Sequence, residues 1–135
     1  MSIRPIRRIL VPVDLSTCSR AALGFACSLG VSLGARLEVL FVLDSAATIP
    51  DVRAGKQDLQ RFIATVDTQH VELRECVDVG DVRERILAAA ESGNFDAIVL
   101  GTHGRSDRDP SRVGSVAETV VRMAGCPVIT IREPD

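Results

Sequence analysis

The sequence predicts an α/β protein built on an open five-stranded parallel sheet, in the strand order 3-2-1-4-5, with helices on both faces. Three observations lead there. Short runs such as Ile9-Leu10-Val11-Pro12-Val13 and Ala97-Ile98-Val99-Leu100 are apolar on both faces, the pattern of parallel strands covered by helices on each side. Stretches with apolar residues at helical spacing separate these runs. Glycine, proline and capping residues mark the boundaries, so strand and helix alternate to give five strands and four helices.

The first strand, Ile9 to Val13, ends at Asp14, and Ser16 or Ser19 can cap the helix that follows. In that helix Leu23, Ala26, Cys27, Gly30 and Val31 recur at helical spacing before Gly34 stops it. Arg36 to Leu43 is the second strand. Asp44 to Lys56 contains Pro50, Gly55 and small polar residues and reads as a loop. Leu59, Phe62, Ile63 and Val66 then define a short amphipathic helix. Val71 to Val79 alternates apolar and charged residues, as an edge strand with one wet face does. Asp81 can cap a third helix that Gly93-Asn94 ends, and Ala97 to Leu100 is a buried strand. Ser115 with Glu118 has the spacing of a capping box for the last helix, through Val116, Val120, Val121 and Met123. Gly125 and Pro127 close that helix, and Val128 to Ile131 is the final strand.

Composition narrows the function. The 135 residues fit a single domain over 1–135, and 46% hydrophobic residues suffice for a core without a disulfide or metal staple. A formal charge of −2 gives no general attraction for nucleic acid or an anionic membrane, and 3% aromatics leaves few platforms for stacking bases. Cys18, Cys27, Cys76 and Cys126 have neither disulfide-framework nor zinc-site spacing and read as buried reduced thiols. Arg4, Arg7 and Arg8 precede an apolar stretch too short for a signal-peptide core. The longest uncharged run, Ala21 to Ala35, falls short of the roughly 20 residues of a membrane span. A soluble, cytoplasmic protein is expected.

With the first and fourth strands central, the winding reverses between them. Ligands of such sheets bind in that crevice, outside the carboxyl ends of the strands. The flanking loops are Pro12 to Ser16 and Gly101 to Ser115. The second carries Gly101-Thr102-His103-Gly104 and, after nine residues, Gly114-Ser115. Glycines let backbone N–H groups approach a phosphate, and the free N–H groups opening a helix add partial positive charge. Gly101 and Gly104 would equally serve an ordinary turn, and Gly114-Ser115 an ordinary helix cap. Arg105, Arg108 and Arg112 outnumber Asp107 and Asp109 in the intervening loop, which modestly favours an anion. The chain has no GxxxxGK[ST] and no GxGxxG after its first strand, which excludes the P-loop and dinucleotide-binding motifs. His103 has no nucleophile placed beside it by the sequence, and His70 sits at a strand entrance in a structural position.

The spacing Gly-x2-Gly-x9-Gly-Ser resembles the nucleotide motif of the universal stress protein family, ATP-binding type. The similarity extends over nearly the whole chain: Ile9 to Asp14 with Ser16, Gly80-Asp81, Asp96 to Arg105, and Gly114 to Glu118 through Cys126-Pro127-Val128. The resemblance implies ATP in the crevice, with Mg or Mn accompanying its phosphates. It places Pro12 and Asp14 beside adenine and ribose, with Val13 between them as a further binding candidate, and Val42 near the adenine. Gly101 and Gly104 lie under the ribose and phosphates, with Thr102 and His103 between them as further binding candidates; apart from the resemblance, the loop arginines read as a solvated face, with Arg105 the exception that could contact a phosphate. Gly114, Ser115 and Val116 surround the phosphate chain. It also implies a homodimer through the C-terminal strand Val128 to Ile131.

Two departures from the family pattern stand out. The segment between the second and third strands is short, which implies a trimmed second helix. Asp107 and Asp109 fall where the family has a more apolar run, and each, at about 8 Å from a phosphate, would cost roughly 0.5 to 2 kcal/mol. The expected function is therefore an ATP-binding dimeric stress-response or signalling module with little or no turnover, more a binding protein than an enzyme. A nucleotide-free interaction protein of the same fold and a slow ATPase are the alternatives.

Overall fold

The computed structural model describes residues 5–104 and 113–133. Its elements run β1 (Arg8–Val13), α1 (Thr17–Leu33), β2 (Arg36–Leu43), α2 (Ile49–Ala64), β3 (Leu73–Val79), α3 (Val82–Ser92), β4 (Ala97–Gly101), α4 (Ser115–Met123) and β5 (Val128–Ile131). The strands form one sheet in the order β3-β2-β1-β4-β5, and every neighbouring pair is parallel. This is the predicted architecture and order.

Alternation along the central strands divides the core in two. Ile9, Val11, Leu37, Val39 and Val99 pack with Ala22, Leu23, Ala26 and Cys27 of α1 and Leu59 and Phe62 of α2. Leu10, Leu40, Ile98 and Leu100 face the other way, onto Ile86 and Ala90 of α3 and Ala117 and Val120 of α4. Both faces of β1 and β4 are thus covered, which is why those strands read as continuous apolar runs. The outer strands β3 and β5 are less buried.

The helix boundaries follow local chemistry. Ser16 caps α1, its hydroxyl accepting from the Ser19 N–H at 3.1 Å, and Gly34 ends the helix at φ 66, a left-handed conformation that favours glycine. Asp81 caps α3 by accepting from the Glu84 N–H at 3.1 Å. All four cysteines are free thiols, as expected; Cys18 and Cys27 are buried, but Cys76 and Cys126 are only half-buried. Burial, with a smaller contribution from Asp67, pushes the Cys27 thiol up to about 11, so it stays protonated and unreactive at neutral pH.

The largest difference from the sequence expectation is α2. Most of the segment expected as a loop is helix, and α2 is 16 residues long rather than trimmed. Pro50 stands in the first turn, where a missing N–H costs nothing, and Thr48 and Asp51 form a reciprocal capping box. Gly55 lies against β2, where a Cβ would come within 3.0 Å of Leu43 Cδ1. Gly55 is buried within the helix against the tip of Leu43 and does not break the chain.

The capping box carries a pH signature. The Thr48 backbone N–H, and secondarily its hydroxyl, hold the Asp51 carboxyl below its ordinary value. A carboxyl depressed on folding contributes stability above its unfolded pKa and loses it as pH falls through the folded value. Asp51→Asn is therefore expected to lower stability near pH 7, with the gap to wild type closing as the pH is taken down to about 3. Urea denaturation of both proteins across that range checks it.

Candidate functional site

At the carboxyl ends of β1 and β4, on the side of the sheet covered by α3 and α4, lies a cavity of about 270 Å³. That is close to the lower end of the roughly 300–1,000 Å³ range of small-molecule sites. Leu40, Val42, Ile86, Leu100 and Val116 give it an apolar interior. Pro12, Val13 and Asp14 form the wall from the loop after β1, and Gly101 to Gly104 the wall after β4. Ser115 and Val116 close it from the first turn of α4. Of the residues expected to bind a ligand, the structure thus brings together all but two. Gly114 stands immediately before α4 and does not itself line the cavity. Arg105 lies outside the described residues, as do Asp107 to Arg112.

The β1 wall is shaped by an unusual backbone. Leu15 has φ 67, a left-handed conformation that a bulky side chain disfavours, at a cost of about 1–3 kcal/mol. The turn it makes folds Asp14 back on the chain, where its Oδ1 accepts from the Ser16 N–H at 3.0 Å. Asp14 therefore has a turn-forming role and lines the cavity as well.

On the β4 side Gly101 approaches α1 closely. A Cβ there would stand 2.7 Å from Cys18 Sγ and 3.1 Å from the backbone carbon and oxygen of Cys18. Packing against α1 demands this glycine independently of any ligand. Thr102 is buried, and its hydroxyl lies 2.8 Å from Nδ1 of His103. Cys18 donates its thiol hydrogen to the Ile131 carbonyl at 3.4 Å, behind the same loop. The other ring nitrogen, His103 Nε2, is buried without a hydrogen-bond partner among the described residues. A buried polar nitrogen in this state is costly, and a ligand acceptor would relieve it.

The start of α4 corrects a sequence expectation. Ser115 does not cap the helix: Gly114 is the N-cap residue, with φ −66 and ψ 160, and makes no side-chain capping bond. The Gly114 N–H is bound to the Thr102 carbonyl at 2.6 Å, which draws the chain in one residue earlier than the Ser-x-x-Glu pattern implies. Glu118 turns outward to Arg122, at 3.3 Å. The Ser115 hydroxyl accepts instead from Arg83 Nη2 of α3, at 2.6 Å. Among the described residues the first-turn N–H groups of α4 thereby have no side-chain cap, an arrangement suited to an anion.

Sequence reasoning missed the contribution of α3. Val82 and Ile86 line the cavity and Arg83 borders it through Ser115. Their only sequence signal is helical spacing, which a packing face shares. Among the described residues no group of three or more His, Cys, Asp or Glu side chains is arranged to hold a metal ion. His70 is exposed in the turn before β3 and is not among the cavity residues. Among the described residues no helix is long and apolar enough to cross a membrane.

Comparison with known proteins agrees with the fold. Residues 5–132 match the sequence model of the universal stress protein family. The chain is 26% identical over 145 residues to universal stress protein MJ0531 of Methanocaldococcus jannaschii, covering 95% of this chain and 83% of the relative. Its structure is similar to universal stress protein UspA from Lactobacillus plantarum, with a TM-score of 0.78 at 28% identity over 96% of this chain and 100% of that one. It is also similar to a universal stress protein from Archaeoglobus fulgidus in complex with dAMP, with a TM-score of 0.76 at 26% identity over 95% and 99% of the two chains. The fold, the crevice at its switch point and the match along nearly the entire chain lead to one conclusion: this chain belongs to the universal stress protein family.

Proposed function

We propose that the cavity binds an adenine nucleotide, ATP with Mg or Mn accompanying its phosphates, and that binding rather than turnover is its work. The observation that carries this reading is the polarity of the cavity. Apolar residues including Val42 and Leu100 line the same cavity as the Asp14 carboxylate and the first turn of α4, whose N-cap glycine makes no side-chain capping bond. The apolar lining suits a purine, Asp14 a ribose hydroxyl, and the α4 N–H groups a phosphate. The dAMP complex of the Archaeoglobus fulgidus relative supports an adenine nucleotide as the ligand class. A metal ion would be held mainly by the phosphates themselves, with Asp14 as the nearest carboxylate candidate.

His103 spends Nδ1 on Thr102, which fits holding a ligand better than shuttling protons. The full-length α2 removes one of the two features that favoured a nucleotide-free interaction protein. In the cell the chain would serve as a single cytoplasmic domain in stress response or signalling. It would pair with a second copy along β5, whose Val128, Ile129 and Ile131 stand at the sheet edge.

Titration calorimetry with Mg·ATP tests the reading. One ATP per chain, displaced by dAMP, is the expected result, with no ADP formed over hours of incubation. A folded protein that takes up no adenine nucleotide would overturn it, and steady ADP release would overturn the low turnover.

A further inference from the structure

The geometry points to Arg83 as a specificity-determining residue of this cavity, one that favours nucleotides with β- and γ-phosphates over monophosphates. The inference rests on the adenine-nucleotide reading and goes beyond it, because α3 has no part in the glycine motif.

Arg83 lies on the first turn of α3, between cavity residues Val82 and Ile86, and donates to Ser115 Oγ at 2.6 Å. It makes no ion pair among the described residues. Of the nearby charges on α3 and α4, Glu84 is exposed and the others have partners of their own. Asp81 accepts from the Glu84 N–H, Arg85 faces Asp78 at 3.7 Å, and Glu118 is paired with Arg122. The guanidinium is therefore set beside the positive end of α4, whose first-turn N–H groups have no side-chain cap among the described residues. A guanidinium bound to the first residue of α4 adds to the positive potential of that helix end, and Asp14 is the one carboxylate among the described lining residues, so a multiply charged anion would be favoured there. His103, another lining residue, has its Nε2 buried without a hydrogen-bond partner among the described residues, an independent sign of a missing polar ligand.

The amino end of a helix supplies about half an elementary charge, sufficient to help hold one phosphate. Further phosphates bring further negative charge, and a planar guanidinium fork is the group suited to it. Arg83 supplies that cation from outside the motif. Adenosine and AMP would bind without needing it.

Calorimetry with ATP, ADP, AMP and adenosine on wild type, Arg83→Gln and Arg83→Lys tests this, with unfolding midpoints measured alongside. Arg83→Gln is expected to weaken ATP by about 10-fold or more, ADP by less, and AMP and adenosine by less than about 2-fold. Arg83→Lys, which keeps the charge and loses the fork, should fall between. Unchanged ATP affinity in Arg83→Gln, with wild type binding all four ligands, would overturn the role of Arg83 and leave the nucleotide reading intact. Equal weakening of adenosine and ATP would assign Arg83 to packing through Ser115 and also overturn it. Wild type that binds neither adenosine nor ATP would overturn both.

Discussion

Gly114→Asp is expected to weaken Mg·ATP binding by roughly 30- to 1,000-fold without loss of the fold. Gly114 is the N-cap of α4 at φ −66 and ψ 160, a backbone conformation open to any residue. Aspartate is a better N-cap than glycine, and its carboxylate can accept first-turn N–H groups that Gly114 cannot cap. Stability should hold or rise by a few tenths of a kcal/mol. The same carboxylate then occupies the position offered to a phosphate. At about 4–8 Å and an effective dielectric of about 20, the repulsion is roughly 2–4 kcal/mol per phosphate charge. Gly114→Asn caps similarly without the charge and should retain markedly more affinity. Calorimetry paired with thermal unfolding separates the two effects: lost binding with a preserved midpoint is the expected outcome, and equal binding by Asp and Asn variants would contradict it.

The second large effect concerns stability. Gly101→Ala should destabilise the protein by about 1–3 kcal/mol, because the new methyl meets the Cys18 backbone at 3.1 Å and α1 must shift to admit it. Gly24→Ala, in the interior of α1 with no atom within 4 Å of the added Cβ, should stabilise by about 0.5–1 kcal/mol. Opposite signs for the same substitution, read from urea midpoints, distinguish a glycine required by close packing from one that is not. A neutral Gly101→Ala would mean that β4 and α1 do not meet as closely as they do here.

These two glycines show how the sequence divides into legible and illegible parts. The central strands were legible because both faces of β1 and β4 are covered, so Ile9 to Val13 and Ala97 to Leu100 could be little else. The parallel sheet followed from the alternation of elements; the order with β1 and β4 central is one of several that alternation allows, and the crevice followed from that order. Gly101 stood out as a motif residue, yet the contact with Cys18 that demands it joins two distant segments and leaves no trace in local pattern. Pro50 and Gly55 read as chain breakers because their cost depends on position: proline is free in a first turn, and Gly55 is buried inside the helix beside Leu43. Thr48 and Asp51 held the true start signal. Ser115 and Glu118 had the spacing of a capping box, but the bond from Gly114 to Thr102 moved the cap by one residue. Arg83 was invisible because only the α3–α4 contact gives it a place beside the cavity.

The protein has a second, larger groove of about 820 Å³ near Phe95, Met123 and Pro127, at the opposite ends of the strands. Where ATP binds is therefore the sharpest question, and amide chemical-shift mapping of labelled protein with Mg·ATP answers it. Shifts concentrated at Val13, Asp14, Val42, Thr102, His103, Ser115 and Val116, with Asn94, Phe95 and Gly125 unmoved, are the expected result. Shifts centred on the Phe95 groove, or none at saturating ATP, would contradict an adenine-nucleotide site at the switch point of the sheet.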